Sequence, residues 1–445
     1  MSRALRLKAG ACEVCITPPI GVELAGYGPN IGRTSVDVHD QLAAQALVLD
    51  DGRQRIALVT LDIIGVSAAF TDAVRREVEA RTDIPATHVM IAASHSHTAP
   101  TVALFRDWGA PDEEYVHLLA RLVAGAVVAA HGKLQPAALS VGRGAYPDLA
   151  WNRTGRAEVD PTVEVLRVDD QVGQPLALLV HYACHPVILG PKPQISADYP
   201  GALRQYLKAR YSGAAILFVN GACGDIDPVT NRDMWGQGTF EAVERAGRAL
   251  GEVATQAAEA AVGLDDAIIR VRRDTFELAY QLPEPSWVQD QVAEYARQVE
   301  AAGQERQVFG AVTGSVAMPG FWLGYYREID AQQRSRRLVT HEQVELQAFT
   351  LDDKVTLLGI PAEIYTREGQ QIRAMSHAPH TLVVGYANGL VGYIPPAEEY
   401  ARQSYAALLA AAVYDRLPFQ PDIAERLVRA CEQLVANDGM GKTPA

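Results

Sequence analysis

The chain has no long apolar run and few cysteines, and each shortage argues against a class of protein. Its most apolar helical segment, residues 118–130, is interrupted by Arg121 and is too short to cross a bilayer. No apolar stretch follows the basic start, residues 1–8, so we predict neither an export signal nor a membrane anchor. Five cysteines in 445 residues is an odd number that suits a reduced cytoplasm better than a disulfide framework. We therefore predict a cytoplasmic protein.

Positive charge is also scarce. The chain has 40 basic and 53 acidic residues, a formal net charge of −13. Nucleic acid is not predicted as a partner, because phosphate binding relies on patches of Lys and Arg. No basic or amphipathic segment favours a lipid surface, so we predict no stable membrane association. The composition is typical of a globular enzyme with a small-molecule substrate, and it leaves a homo-oligomer open.

Two of the cysteines, Cys12 and Cys15, have the spacing of a redox motif. They lie on an apparent strand at the start of the chain, and no second pair with this spacing follows. We interpret both as buried packing residues rather than as a redox or zinc site.

The clearest positive signal is a pair of histidines where an apolar run ends. Residues 89–93 are typical of a buried strand, and His95 and His97 follow directly. In an extended chain, residues two apart point the same way, so we expect the two imidazoles to project together. Such a pair indicates either a metal site or two hydrogen-bonded loop histidines.

Further short β-rich runs end in breaks that carry polar groups. These runs and the groups that follow them are 177–180 with His185, 214–219 with Asp225 and Asp227, 355–358 with Glu363, and 381–384 with Tyr393. Helical patterns alternate with them at 71–81, 113–130, 200–211 and 240–261. We predict an α/β fold, a mixed β-sheet core flanked by helices, with a metal site at the strand C-terminal ends.

Between about residues 266 and 345 the pattern loosens. A strand at 268–272 and a polar helix at 286–302 precede a Gly- and aromatic-rich stretch, 309–326. That stretch is either a lid or oligomer contact or a packed loop, and we favour the loop. Because Glu363 and Tyr393 lie beyond it, we expect the last segment to fold back, giving a single domain over residues 1–445. A final helix is expected at 421–435.

A series of short motifs runs along the chain: Ile16-Thr17-Pro18-Pro19 with Gly26-Tyr27, residues 43–49, residues 94–98, Asn152-Arg153-Thr154, His185-Pro186, Pro361-Ala362-Glu363, and the block from Tyr393 to Tyr405. In order and number, these motifs resemble the catalytic region of the neutral/alkaline (non-lysosomal) ceramidase family, zinc amidases that hydrolyse N-acyl amide bonds. Those ceramidases carry a further C-terminal β-sandwich domain. We predict none here, because little sequence follows the tyrosine block.

The resemblance also implies roles for individual residues. It implies one Zn²⁺ per chain, with the ligands His95, His185, Glu363 and Tyr393. It places His97 in the site without making it a primary ligand. It implies substrate binding by Arg153 and by the loop residues Gly224 and Asp225, and a second site tyrosine at Tyr405. Imidazole, carboxylate and phenolate are chemically sensible ligands for zinc.

One departure from the family pattern bears on mechanism. The family loop reads Gly-Asp-X-Ser-Pro, whereas here Asp227 stands at the serine position. A carboxylate cannot perform serine acyl transfer, but a water molecule activated by zinc needs no serine. Asp227 is then a proton acceptor, a contact for a cationic group of the substrate, or a turn-forming residue before proline.

We therefore predict a zinc-dependent hydrolase that cleaves a linear amide bond of a small soluble N-acyl substrate with zinc-activated water. His97 or Asp227 would carry the proton to the leaving amine, and Tyr405 would help to polarise the carbonyl. Asp62 and Asp198 either orient the histidines or act as caps and turn residues. The alternatives are a zinc esterase or lactonase, a true ceramidase acting on N-acyl-sphingosine, and a non-catalytic binding protein with the same fold.

Overall fold

The computed structural model describes residues 7–27, 33–103, 105–233, 237–264, 268–302 and 317–436. The strands are, in chain order, β1 (Lys8–Cys15), β2 (Asp37–Val38), β3 (Ala43–Asp50), β4 (Arg55–Leu61), β5 (Val89–Ala93), β6 (Gln135–Ala145), β7 (Ala150–Asn152), β8 (Thr162–Asp170), β9 (Pro175–Tyr182), β10 (Gln194–Ile195), β11 (Ala215–Asn220), β12 (Ile226–Pro228), β13 (Val262–Gly263), β14 (Ile269–Ala279), β15 (His341–Leu351), β16 (Val355–Gly359), β17 (Glu363–Ile364), β18 (His380–Val384) and β19 (Tyr393–Ile394). The α-helices are α1 (Ala68–Arg81), α2 (Glu113–His131), α3 (Asp198–Arg210), α4 (Phe240–Glu259), α5 (Pro285–Ala302), α6 (Ala317–Arg334), α7 (Thr366–Met375), α8 (Ala397–Ala401), α9 (Leu409–Val413) and α10 (Ile423–Ala436).

Two large sheets form the centre of the molecule. The first has the order β11-β9-β8-β6-β1-β3-β4-β5, with β13 paired to β6, and the second has the order β14-β15-β16-β18. The pairs β4–β5, β9–β11 and β16–β18 are parallel, while the other ladders of these two sheets are antiparallel. The predicted α/β fold with mixed sheets is therefore confirmed.

The two sheets pack face to face, as the alternating directions of the side chains along β3 show. Leu47 and Leu49 of β3 share a buried cluster with Phe349 and Leu357 of the second sheet. Val48, which points to the opposite face of β3, belongs instead to the cluster that includes the helices. Helices α2, α3 and α4 contact the first sheet, and α7 and α10 contact the second. The layers therefore run helix, sheet, sheet, helix.

Helix α4 shows how outer layers position the centre. Thr239 caps its first turn, with a hydroxyl that accepts a hydrogen bond from the backbone NH of Ala242. Gly247 and Gly251 lie on one face, and a Cβ atom at either would come within 2.4 Å of a side-chain atom of α3. Helix α3 can pack this closely only because both positions are glycine. Tyr199 of α3 in turn donates a 2.6 Å hydrogen bond to the carbonyl of Cys184, beside the predicted ligand His185.

The strand and helix patterns read from the sequence are largely confirmed. The five apolar runs fall on β5, β9, β11, β16 and β18, and the predicted helices correspond to α1 to α5 and α10, with ends shifted by a few residues. Ala92, next to the end of β5, forms a bridge with Ala387, so the late segment lies against the first sheet. In the described part of the chain, no helix combines the length and apolar character needed to cross a membrane.

The loop predicted over residues 309–326 is wrong where the structure describes it. Residues 309–316 lie outside the described residues, but residues 317–326 belong to helix α6. Its glycines suggested a break, whereas the aromatic residues are spaced so that they cover one helical face. Trp322 and Tyr326 stack on Tyr295 of α5, with ring centroids 6.2 and 5.7 Å apart.

The predicted burial of both early cysteines is wrong for one of them. Cys12 is partly buried and Cys15 is exposed, and both are free thiols. Residues three apart on a strand point to opposite faces, so β1 directs the two side chains away from each other. The spacing therefore forms no joint site.

Candidate metal centre and active site

His95 reaches the centre through a tight turn after β5 rather than through an extended strand. Its φ is +71°, a left-handed conformation that is uncommon for a residue other than glycine. Its backbone NH donates to the carbonyl of Ile63, and its side-chain Nδ1 donates to the carbonyl of Ile64 at 2.6 Å. The expectation that His95 and His97 project side by side from an extended chain is therefore wrong in its geometry, although the two rings do meet.

His97 is held from the opposite side of the centre. Its Nδ1 donates to the carbonyl of Gly26 at 2.8 Å, and its ring contacts the edge of Tyr27. Gly26 has a φ of +100°, and a Cβ atom there would lie 2.4 Å from Nδ1 of His97. Only glycine gives the imidazole this space.

His185 and Glu363 come from different parts of the chain. After β9, Nδ1 of His185 donates to the carbonyl of Ile226 at 3.0 Å, and its Nε2 lies 3.1 Å from Oε2 of Glu363. Glu363 begins β17, which pairs in parallel with β19 so that Glu363 faces Tyr393 across the ladder. Side chains at paired positions lie on the same face of a sheet, so this short ladder brings the two predicted ligands together.

The three imidazoles converge on one point. Ligand nitrogens of His95, His97 and His185 lie within 4.8 Å of one another, and Oε2 of Glu363 lies 3.4 Å from Nε2 of His95. Because a carbonyl can only accept, each Nδ1 carries a proton, so Nε2 is the nitrogen that each ring turns toward the others. Nε2 atoms of His95 and His97 face each other at 3.1 Å. A cation between the lone pairs of these two atoms relieves their repulsion, so the residues present fit a metal ion.

The electrostatics of the centre favour neutral imidazoles at His95 and His97 beside an ionised Glu363. Burial lowers the pKa of His95 and lowers the pKa of His97 further, which keeps both neutral. Burial raises the pKa of Glu363, but His95 and His185 outweigh it and hold that pKa well below its usual value. Burial lowers the pKa of His185, but Cys223 and Glu363 more than offset it, so this pKa rises to about 10. A metal ion bound at Nε2 of His185 would replace the proton held there. An ionised carboxylate therefore stands among the imidazoles.

A second set of charged groups adjoins the histidines. Nη2 of Arg153 donates to the hydroxyl of Tyr393 at 2.7 Å and to the carbonyl of Gly224 at 2.7 Å. Nη1 of Arg153 donates to Oδ1 of Asp227 at 3.3 Å, and this oxygen lies 4.0 Å from Nδ1 of His185. The structure thus brings the predicted Arg153, Tyr393 and Asp227 together in one layer of polar side chains beside the three histidines.

The carboxylate of Asp225 is engaged by the protein itself. Oδ2 accepts from Asn152 at 2.8 Å, and Oδ1 accepts from the hydroxyl and the backbone NH of Thr366 at 2.9 and 2.8 Å. These bonds join the loop that carries Arg153 to the start of α7. A substrate contact for Gly224 and Asp225 stays a prediction.

Tyr405 lies at the outer edge of this layer. Its side chain is 42% exposed, and its ring lies 5.8 Å from that of Tyr393 and 6.4 Å from that of Trp108. Tyr405 is therefore accessible to a substrate that approaches Tyr393. Its catalytic role stays a prediction.

Neither proposed acidic partner of the histidines has that role. Asp62 accepts from Arg204 and from the backbone NH of Ala43, and Asp198 accepts from the backbone NH of Leu189. Backbone carbonyls orient the three histidines instead. The alternative of a cap or turn residue is the correct one, since Asp198 opens α3.

The sequence analysis did not predict two tyrosines of the centre. Tyr386 stacks on His95, with centroids 4.1 Å apart, and Tyr414 donates from its hydroxyl to Oε1 of Glu363 at 2.5 Å. Tyr386 lies two residues after the end of β18, so the pattern of polar groups after strands could have identified it. Tyr414 follows the short helix α9, and no motif in the sequence marks it.

The comparisons with known proteins agree with this architecture. The family model described as neutral/alkaline non-lysosomal ceramidase, N-terminal, matches residues 8–213. A solved ceramidase complexed with C2 is similar to this chain at a TM-score of 0.73 and 17% identity, covering 97% of this chain and 75% of that chain. A neutral ceramidase from Pseudomonas aeruginosa is similar at a TM-score of 0.71 and 18% identity, covering 97% and 74%. The predicted resemblance to the ceramidases is confirmed.

Proposed function

We propose that this chain is a zinc-dependent hydrolase that cleaves a linear amide bond of a small soluble N-acyl substrate. One observation carries the proposal. Three imidazoles present Nε2 to a common point beside Oε2 of Glu363, while a backbone carbonyl holds each Nδ1. Such anchoring of the far ring nitrogen is the usual arrangement for histidines that bind metal. The match to the ceramidase family supports the amide bond as the target.

The proposed ligands of one zinc ion are His95, His185, Glu363 and Tyr393. Zinc is favoured because imidazole nitrogens and carboxylate oxygen are its usual ligands in hydrolases. A zinc ion held there would lower the pKa of a water molecule and polarise the substrate carbonyl. His97 shares the centre, and we assign it to proton transfer. Its Nδ1 is held by Gly26, so its Nε2, which faces Nε2 of His95 at 3.1 Å, is the atom that can accept a proton.

Arg153 and Asp227 supply the polar contacts for the substrate. The guanidinium can donate to a carbonyl or carboxylate of the substrate, and Asp227 can accept a proton or a hydrogen bond from the amine. Arg153 and Asp227 are in contact at 3.3 Å, so both substrate contacts lie on the same side of the three histidines. Tyr405, at the exposed edge, would donate to the carbonyl oxygen as negative charge develops there.

The charged pair also supports the choice of substrate. A guanidinium and a carboxylate in the wall of the site suit a polar amide better than an unbranched hydrocarbon chain. A true ceramidase is the second candidate function, and the family match favours it. An esterase or lactonase would use the same centre on a different bond.

The deciding experiment joins metal analysis to a substrate panel. The purified protein is expected to hold about one zinc per chain. With zinc bound, it is expected to hydrolyse short N-acyl amines or N-acyl amino acids with a higher kcat/KM than long-chain ceramide or matched esters. A higher kcat/KM on ceramide would replace the soluble substrate with the second candidate. Absence of metal from protein purified without chelator, together with no gain on adding Zn²⁺, would defeat the proposal as a whole.

A further inference from the structure

The two oxygens of Glu363 have separate partners. Oε2 faces Nε2 of His185 at 3.1 Å and Nε2 of His95 at 3.4 Å. Oε1 accepts a 2.5 Å hydrogen bond from the hydroxyl of Tyr414. Only Oε2 is thereby directed toward the imidazoles, while Oε1 is held by a donor. The orientation of this carboxylate therefore depends on a residue that the ceramidase-like motifs do not include.

Tyr414 is itself fixed by its surroundings. Its side chain is buried, its ring packs edge to face on Phe105, and its backbone NH donates to the carbonyl of Ala410. Gly392 gives the ring its space, because a Cβ atom at this position would lie 2.6 Å from a ring carbon of Tyr414. Gly392 has a φ of +97° and directly precedes Tyr393, a proposed ligand. One turn thus places Tyr393 and makes room for Tyr414.

We propose that Tyr414 is a positioning residue that holds Oε1 of Glu363, so that this carboxylate presents a single oxygen to the metal. The proposal rests on the metal centre of the proposed function and adds a specific support to it. When Oε1 is held by Tyr414, Glu363 can bind the metal only through Oε2 and so occupies one coordination position of the metal. A catalytic zinc site needs such a limit, because it must leave a position for water or substrate.

The chemistry of the contact agrees with this role. A hydroxyl that donates to an ionised carboxylate makes a bond roughly twice as strong as one between neutral groups. Carboxylates that bind metal are commonly held by such donors, and loss of the donor typically lowers metal affinity about 10- to 100-fold. We therefore expect the deletion of one oxygen atom, by Tyr414→Phe, to weaken metal binding while the ring keeps its packing.

The chain offers a matched control in Tyr325. Tyr325 and Tyr414 both line a cavity of about 630 Å³ that none of the three histidines lines. Tyr325 is also buried, and its hydroxyl donates to the backbone carbonyl of Arg416 at 2.9 Å, away from Glu363. Tyr325→Phe therefore removes a hydroxyl with a hydrogen bond from the same cavity wall without touching the metal centre.

The experiment measures binding of Zn²⁺ alone by chelator competition, and the visible spectrum of the Co²⁺-substituted protein. We compare wild type with Tyr414→Phe, Gly392→Ala, Tyr325→Phe, Glu363→Gln and His95→Ala, with circular dichroism to verify folding. Tyr414→Phe should bind Zn²⁺ about tenfold or more weakly and should change the Co²⁺ absorption, while Tyr325→Phe should match wild type. Gly392→Ala, which must displace the Tyr414 ring, should weaken Zn²⁺ binding in the same direction and gives a second test if Tyr414→Phe folds poorly.

Two results would count against the inference in different ways. If Tyr414→Phe and Gly392→Ala bind Zn²⁺ as wild type does while Glu363→Gln is weakened, Tyr414 does not position Glu363. If Glu363→Gln and His95→Ala also bind Zn²⁺ as wild type does, the metal centre of the proposed function is itself wrong, and the role of Tyr414 falls with it.

Discussion

Single hydrogen bonds decide what the histidines of the centre can do. A histidine can offer either ring nitrogen to a metal, and its surroundings choose between them. Here the carbonyls of Ile64 and Ile226 take the Nδ1 protons of His95 and His185, so both residues present Nε2. Backbone carbonyls cannot ionise, so these two acceptors stay the same at every pH.

His95→Ala and His185→Ala should each lose zinc and nearly all amide hydrolysis. Each substitution removes one imidazole from a centre of few ligands, and a catalytic zinc site does not tolerate that loss. Cys12→Ala and Cys15→Ala should retain both properties, since β1 points the two thiols apart. Zinc content by atomic emission and turnover of the best amide substrate are the measurements. Zinc lost from the cysteine variants but kept in the histidine variants would reverse the assignment.

Asp227→Asn should reduce turnover and leave zinc content intact. The amide keeps the size of the side chain but removes the charge that faces Arg153 and the capacity to accept a proton. We do not expect Asp227 to act as a nucleophile, because activated water gives a simpler route than an acyl anhydride.

Single-turnover hydrolysis in oxygen-18 water tests the second part of this prediction. Direct attack by water places the label in the released acid, and none should enter the carboxylate of Asp227. Mass spectrometry of the protein after one turnover decides the point, and label found at Asp227 would show a covalent route.

At the scale of secondary-structure elements, a short β-ladder and the first turn of a helix position the residues of the centre. Strands β17 and β19 have two residues each, yet their parallel register sets Glu363 beside Tyr393. The start of α3 holds the buried Asp198 at a φ of +55°. Its carboxylate accepts from the backbone NH groups of Leu189 and Tyr199, which ties the segment after His185 to the helix.

Asp198 should make the free energy of unfolding fall as pH rises from about 4 to 7. Burial raises its pKa from 3.8 to about 7 in the folded state. Between these values the folded protein keeps a proton that the unfolded chain has released, so raising the pH favours unfolding. The contribution is present in full below the unfolded pKa and is lost as pH passes through the folded pKa. Its upper bound is about 4 kcal/mol.

Urea unfolding at pH 5 and pH 8 measures this dependence. Asp198→Asn should flatten the difference between the two pH values, because asparagine does not titrate and tolerates a positive φ. Asp72→Asn, on the exposed face of α1, serves as the control and should leave the difference as in wild type. A difference unchanged by Asp198→Asn would show that this carboxyl does not titrate as described.

At the scale of the whole molecule, the metal centre joins distant parts of the chain. Oε2 of Glu363 lies 3.4 Å from Nε2 of His95, although the two residues are 268 positions apart (363 minus 95). The first follows a strand of the four-stranded sheet, and the second follows a strand of the nine-stranded sheet. A bound ion would therefore connect the two sheets that form the core.

Removal of zinc should lower the thermal unfolding midpoint, and added Zn²⁺ should restore it. A ligand that binds only the folded state stabilises it by about 2.7 kcal/mol at a free concentration 100 times its Kd. Scanning calorimetry with and without chelator measures the effect. His95→Ala provides the control, since its midpoint should no longer respond to Zn²⁺. A wild-type midpoint insensitive to both treatments would contradict a metal bridge between the sheets.

Local patterns in the sequence determined most of the strands and helices of this protein. The apolar runs of β5, β9, β11, β16 and β18 are long enough to identify buried strands, and the helices show their periodicity. His95, His185, Glu363 and Tyr393 are among the polar groups that follow those strands, because a strand end fixes where the next residues emerge. The resemblance to the ceramidases singled out these four as ligands. Strand propensity and amphipathic period are properties of neighbouring residues, so they can be read without the fold.

Only the tertiary structure decided how those groups meet. The left-handed turn at His95, the carbonyl of Ile64 that fixes its ring, and the hydroxyl of Tyr414 on Glu363 all depend on contacts between segments far apart in the chain. The sequence suggested that Asp62 and Asp198 could orient the histidines, whereas backbone carbonyls do so. Every residue carries a carbonyl, so no residue type marks the ones that face a ring. That placement is fixed by packing of the whole chain, for which local pattern provides no signal.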